Sequence, residues 1–134
     1  MENSILSQQM IAIAPAFASY FYGGWSHLLG CLLAFVVLDY ITGIIAAAKE
    51  GKLQSTVGFV GIAKKVMIFA MIGVAHMVDK TIGKGTLLMD AAIFFYQANE
   101  LLSIIENAGR IGLPVPEVLK QAVELLKNKE GVKK

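Results

Sequence analysis

Three long runs of apolar residues, each broken by a few polar positions, dominate the chain between residues 28 and 105. A helix needs about 20 mainly apolar residues to cross the hydrocarbon core of a bilayer. The runs at 28–48, 62–79 and 86–105 are therefore predicted to be membrane-spanning helices. The second run reaches a spanning length if the lysine pair at its start, Lys64 and Lys65, extends to the lipid headgroups.

The segments on either side of these runs have a different pattern. Residues 1–24 form a moderately apolar arm interrupted by Pro15, which we interpret as an interfacial helix, a conformationally variable arm or a fourth span. Residues 109–134 include Pro114 and Pro116, which suit the start of a helix. Apolar residues then recur at helical spacing between charged ones, at Val118, Leu119, Ala122, Leu125 and Leu126.

The pattern as a whole predicts an all-α polytopic membrane protein. An N-terminal arm (1–24) precedes a transmembrane helical domain (25–108), and an amphipathic cytoplasmic helix with a basic tail (109–134) follows it. Composition supports this prediction, because 56% of the residues are hydrophobic and only 16% are charged, whereas about a quarter are charged in soluble domains. The net charge of +2 gives no indication of a nucleic-acid partner, and a single cysteine, Cys31, excludes an intrachain disulfide.

The distribution of lysines predicts the orientation. Positive residues near the ends of spans prefer the cytoplasmic side. The segment before the first span has no lysine or arginine, whereas the loop after it is rich in lysine. We therefore expect the N-terminus outside and the C-terminus in the cytoplasm. The predicted cytoplasmic interface anchors are Lys49, Lys52, Lys64 and Lys65.

Asp39 is a carboxylate in the middle of the first span. A charge at the centre of an inserted helix costs about 2.5–3.5 kcal/mol on the translocon scale, so Asp39 needs a partner, a proton or access to water. Two interpretations remain open. It is either a polar contact that locks helices together or a group that faces a water-filled path.

The third span carries several polar residues. At about 100° per residue, one stripe collects Asp90, Gln97, Glu100 and Asn107, while Asn99, Ser103 and Glu106 are placed nearly opposite. A helix with two polar faces must turn at least one of them towards other helices or water. The stripe and Asp39 are therefore the candidate pore-lining or helix–helix contacts. His76 in the second span is interpreted as a packing residue with satisfied hydrogen bonds, and a group that titrates or pairs with a carboxylate is the alternative.

Catalytic patterns are missing from the sequence. It contains no phosphate-binding loop, nucleophile elbow or dinucleotide fingerprint, and no set of His, Cys, Asp and Glu with convincing metal-ligand spacing. We therefore predict that the protein is not an enzyme and needs no cofactor.

The segment "LDYITGIIAAAKEGKLQSTVGFVGIAKK" closely resembles a signature of the phage holin family that includes clostridial toxin-secretion holins. The shared pattern is an "LD…TG" stretch, a "K.G.L.S" loop, and glycines followed by a lysine pair. Further along, "NELLSIIENAGRIGLPVPEVL" is similar to the end of that family's third span. The resemblance covers roughly residues 28–126.

The resemblance implies a homo-oligomer in the bacterial cytoplasmic membrane. Such a protein permeabilises the bilayer and lets an endolysin or a large toxin cross, without necessarily binding either one. Two alternatives belong to other classes: a small proton-coupled transporter, and a non-conducting, antiholin-like regulatory subunit.

Overall fold

The computed structural model describes residues 1–132, with their side chains except those of residues 123 and 126–132. Within this part the chain forms five helices: α1 (Glu2–Tyr22), α2 (His27–Lys49), α3 (Ser55–Ile82), α4 (Leu87–Ile111) and α5 (Glu117–Val132). These residues contain no strand, which confirms the all-α class. The side chain of Leu126 and the residues Lys133 and Lys134, assigned above to the amphipathic helix and its basic tail, lie outside the described part.

Helices α2, α3 and α4 are long and apolar enough to cross a membrane, and they correspond to the three predicted spans. The limits of α3 differ most from the prediction. This helix has 28 residues and begins at Ser55 rather than at residue 62. At about 1.5 Å per residue its length is about 42 Å, which exceeds the roughly 30 Å hydrocarbon core.

Two glycines in the first turns of α3 lie against Tyr40 of α2. A Cβ atom on Gly58 would lie 3.4 Å from the Tyr40 hydroxyl, and one on Gly61 would lie 3.6 Å from the same ring. Glycine is a weak helix former, but here it lets the backbone of α3 pass close to the aromatic side chain on α2. The contact brings the residues that follow, including Lys65, towards α2.

Helix α4 is the central one of the three spans. It contacts both α2 and α3, which contact each other less. Their buried apolar side chains gather near the start of α2, the end of α3 and the start of α4. We call this group the apolar layer; its members are Leu29, Leu32, Val36, Ile72, Met89 and Ile93. The opposite end of the bundle, which carries the α2–α3 loop (50–54), is called the loop end.

Helix α1 attaches to α3 through its last residues. The Tyr22 hydroxyl donates a hydrogen bond of 3.0 Å to the Phe69 carbonyl. Gly23, with a φ of +71° that favours glycine, lies against His76: a Cβ there would be 3.0 Å from the imidazole. His76 is buried as expected for a packing residue, although neither ring nitrogen has a hydrogen-bond partner among the described residues. No side chain of α1 itself is buried.

Asp79, near the end of α3, is fully buried and caps the start of α4. Its Oδ1 accepts from the Leu88 backbone N–H at 2.9 Å, and its Oδ2 accepts from the Met89 N–H at 2.8 Å. The first N–H groups of a helix lack intrahelical partners and carry a partial positive charge, so a carboxylate is favoured at this position. Asp79 therefore fixes the turn between α3 and α4.

The first prediction concerns this cap. Replacing Asp79 with Ala removes two charge-assisted hydrogen bonds from a buried position, so we expect a loss of about 1–3 kcal/mol in stability. The measurement is thermal unfolding of the detergent-solubilised protein. Asp90→Asn is the matched control, since Asp90 bonds instead to the exposed Thr86 hydroxyl. Equal unfolding temperatures for the two variants would contradict the assignment.

Candidate functional site

Lys65 lies between two carboxylates in the middle of the bundle. Its ammonium is 2.6 Å from Oδ2 of Asp39 on α2 and 2.9 Å from Oε2 of Glu100 on α4. The Lys65 side chain is 16% exposed and the two carboxylate side chains are each 9% exposed. One cation from α3 therefore bridges the two other spans. We call these three residues the ion cluster.

The second oxygen of Asp39 is bound by α4. Oδ1 accepts hydrogen bonds from the Ser103 hydroxyl at 2.5 Å and from the Asn107 side-chain amide at 2.9 Å. The same amide also contacts the Asp39 carbonyl at 3.2 Å and the Thr42 hydroxyl at 3.1 Å. Gly43 faces the same amide, and a Cβ there would lie 3.5 Å from the Asn107 amide nitrogen, at ordinary van der Waals distance. Both oxygens of the carboxylate are thus satisfied by protein groups.

A second polar contact joins α2 and α4 closer to the loop end. Nε of Arg110 donates to the Glu50 carboxylate at 2.7 Å, and Nη1 of Arg110 donates to Oδ1 of Asn107 at 3.2 Å. The hydrogen bond from Arg110 holds the pKa of the Glu50 carboxyl below its usual value. Lys49 donates to the Ile111 carbonyl at 2.6 Å, which satisfies an end carbonyl of α4. Polar contacts therefore run from the loop end to the ion cluster.

A cleft of about 260 Å³ follows the same route. Asp39, Lys65 and Ser103 line it near the middle of the bundle, and Leu53 and Arg110 line it towards the loop end. Its remaining walls come from α2, the first turns of α3 and Asn107 of α4. Two members of the ion cluster, Asp39 and Lys65, thus line a cavity, whereas Glu100 is not among its lining residues.

The structure brings together three of the five predicted polar residues, Asp39, Glu100 and Asn107. The other two lie apart from the ion cluster. The Gln97 side-chain amide donates to the Leu28 carbonyl at 3.2 Å, near the start of α2. Asp90 accepts from the Thr86 hydroxyl at 3.0 Å, at the start of its own helix.

The hydropathy pattern predicted that Lys65 extends to the lipid headgroups, but its ammonium lies inside the bundle. The reason is the early start of α3: Lys65 lies ten residues after Ser55, about 15 Å along the helix, and not at its edge. Lys52 and Lys64 are exposed, and Lys49 is an exposed residue that contacts the end of α4. For these three the anchoring role stays a prediction.

Ser103 was assigned to the face opposite the polar stripe, and this assignment was wrong. It lies four residues before Asn107, which places the two side chains about 40° apart on a helix, and both bind the same oxygen of Asp39. Spacing relative to Asn107 was the signal that could have identified it. Arg110 and Thr42, which complete the contacts, carried no comparable signal in the sequence.

The charges of the ion cluster do not balance when all three groups are ionised, since two carboxylates face one ammonium. Hydrogen bonds from Ser103 and Asn107 offset part of the remaining negative charge. Among the described residues no group of three or more His, Cys, Asp or Glu could hold a metal ion. The arrangement is therefore suited to holding three helices together and to interacting with water or protons.

Comparisons with known proteins identify one family and several similar proteins. The model of the bacteriophage holin family matches residues 16–128. An uncharacterised protein of Halalkalibacterium halodurans is 49% identical over 90% of this chain and 93% of its own length. An uncharacterised protein of Listeria monocytogenes is 44% identical, covering 87% of this chain and 83% of its own length. An uncharacterised 14.9 kDa protein in the nagH 3′ region of Clostridium perfringens is 39% identical, covering 97% of this chain and 100% of its own length. No solved structure matches the chain significantly.

The second prediction concerns the bridging cation. Lys65→Met leaves two buried carboxylates without their cation, and removing one member of a buried pair costs about 3–5 kcal/mol. We expect a correspondingly lower unfolding temperature in detergent. The neighbouring exposed lysine supplies the control, as Lys64→Met should unfold like the parent protein. A loss of similar size in both variants would show that Lys65 has no special role.

Proposed function

The chain belongs to the bacteriophage holin family, and on this premise we propose that it self-associates in the bacterial cytoplasmic membrane and forms lesions. An endolysin or a large toxin crosses the membrane through such a lesion, with no need to bind the protein directly. The proposed orientation has the N-terminus outside, and the loop end and α5 on the cytoplasmic side. It is supported by the cationic residues at the loop end, which include Lys49, Lys52 and Arg110.

The observation that carries the proposal is the ion cluster on helices that otherwise present apolar side chains. Several kcal/mol per ion are needed to take such charges out of water. In a single chain Asp39, Lys65 and Glu100 satisfy one another. If subunits rearrange so that these faces meet water, solvent replaces the lost contacts. The same residues then stabilise both a closed bundle and the lining of a lesion.

Self-association is supported by the large apolar surface that the bundle leaves exposed. On α3, exposed large apolar residues occur from Val57 to Ile82, and few residues of this helix are buried. Lipid or another subunit can cover such a surface at similar cost, because helix association in membranes depends on packing and polar contacts more than on hydrophobicity. Exchange of lipid contact for subunit contact therefore changes the free energy little.

The test of the proposal is expression in bacteria while membrane potential and the release of markers of graded size are followed. The proposed function predicts abrupt depolarisation with escape of protein-sized markers. Flux limited to one substrate with an intact potential would instead indicate a transporter. Stable membrane accumulation without any conduction would indicate a regulatory subunit. Either of these two results would overturn the proposal.

The third prediction concerns the polar lining. Joint replacement of the ion cluster (Asp39→Leu, Lys65→Met and Glu100→Leu) removes all three charges, and apolar replacement of a whole buried ionic group is often neutral or stabilising. We expect this variant to accumulate in the membrane to the parent level and to leave the potential intact, because the charged groups proposed to line a wetted lesion have been removed.

The matched control for the lining also removes both signs of charge, but outside the ion cluster. Lys64→Met with Glu117→Leu changes two exposed residues, and it should depolarise cells like the parent protein. If the triple variant permeabilised the membrane with unchanged onset at equal protein level, the ion cluster would have no part in the lesion.

A further inference from the structure

The contacts between the spans divide the bundle along its axis into a polar part and a mainly apolar part, which also contains the Gln97 bond to the Leu28 carbonyl and the buried Asp79 and His76. From Asp39 to the loop end, α2 and α4 are joined by side-chain hydrogen bonds through Asn107 and Arg110. On the other side of Asp39 the contacts change. There Leu29, Leu32 and Val36 of α2 pack with Ile72, Met89 and Ile93 in the apolar layer.

The cleft of about 260 Å³ lies entirely in the polar part. Its lining residues on α2 run from Asp39 to Ala47, and those on α3 run from Val57 to Lys65. No member of the apolar layer lines it. Leu53, which belongs to the α2–α3 loop, contributes to its wall, so the cleft extends to the loop end.

The polar groups along the cleft are suited to water. A cavity holds water when it is large enough and offers two to four polar partners. The Asp39 carboxylate and the Ser103 hydroxyl provide such partners near the middle of the bundle, and the Arg110 guanidinium provides one nearer the loop end. Contact with water would also lower the free-energy cost of the unbalanced charge in the ion cluster. The side chains of the apolar layer cannot offset this cost, because they have no polar groups.

We propose that this cleft is a water-filled vestibule that opens at the loop end only, and that the apolar layer closes it on the other side. Water and small hydrophilic ions reach the ion cluster from one face of the membrane. Each subunit thus contains a cavity that is open to water from one side of the membrane before any assembly. The step that completes a path is the wetting of the apolar layer.

The vestibule can be tested with single cysteines in a Cys31→Ser background. A thiol reacts through its thiolate, so a charged, membrane-impermeant reagent modifies a cysteine in water and spares one in lipid. Ile44 lines the cleft, whereas its neighbour Ile45 is 47% exposed on the outer surface of the bundle. Lys52→Cys, in the loop, marks the side on which the loop end lies.

The expected result is labelling of Ile44→Cys from the same side as Lys52→Cys and from no other side, while Ile45→Cys stays unlabelled. Ile45 is the matched control because it lies about 1.5 Å nearer the loop end, so depth alone would favour its labelling. Val36→Cys, in the apolar layer, should stay unlabelled from both sides. Denaturation in detergent should expose every thiol and verify that each variant is present.

Equal labelling of Ile44→Cys and Ile45→Cys, or labelling of neither, would overturn the vestibule. Labelling of Val36→Cys from the side opposite Lys52→Cys would overturn the closure by the apolar layer. Labelling is carried out before the membrane potential falls, so that no lesion admits the reagent. The result compares residues within one chain, and it therefore stands or fails separately from lesion formation.

Discussion

One ammonium group holds the three spans together. Lys65 on α3 contacts Asp39 on α2 and Glu100 on α4, in a region where apolar packing alone would have no directional preference. Lipid tails are as apolar as leucine side chains, so polar contacts and close backbone approach decide how membrane helices associate. The ion cluster provides the polar contact, and Gly58, Gly61 and Gly43 provide the close approach.

The position of this contact determines the rest of the architecture. Because the ion cluster lies midway along the spans, it separates an apolar layer at one end from a polar cleft at the other. Asn107 connects the ion cluster to the polar contacts of the loop end, since it binds Asp39 and accepts a hydrogen bond from Arg110. Asp79 then fixes α4 to the end of α3 beyond the apolar layer.

Hydropathy and helical periodicity were sufficient to predict the all-α class and the three spans. They also identified Asp39, Glu100 and Asn107, because a polar group in an apolar run stands out. Lys65 was misplaced because its depth depends on where α3 begins, and the hydropathy pattern predicted that start at residue 62 rather than at Ser55. Asp79 caps a helix nine and ten residues further along, a tertiary contact with no local signature.

The most direct test of this account is thermal unfolding of two variants in detergent: Lys65→Met, and Lys65→Met combined with Asp39→Asn and Glu100→Gln. The combined variant removes the unpaired carboxylates but keeps oxygen acceptors for Ser103 and Asn107. If the ion cluster is the central contact, the combined variant should regain most of the unfolding temperature that Lys65→Met loses. An unfolding temperature that stays as low as that of Lys65→Met would contradict the account.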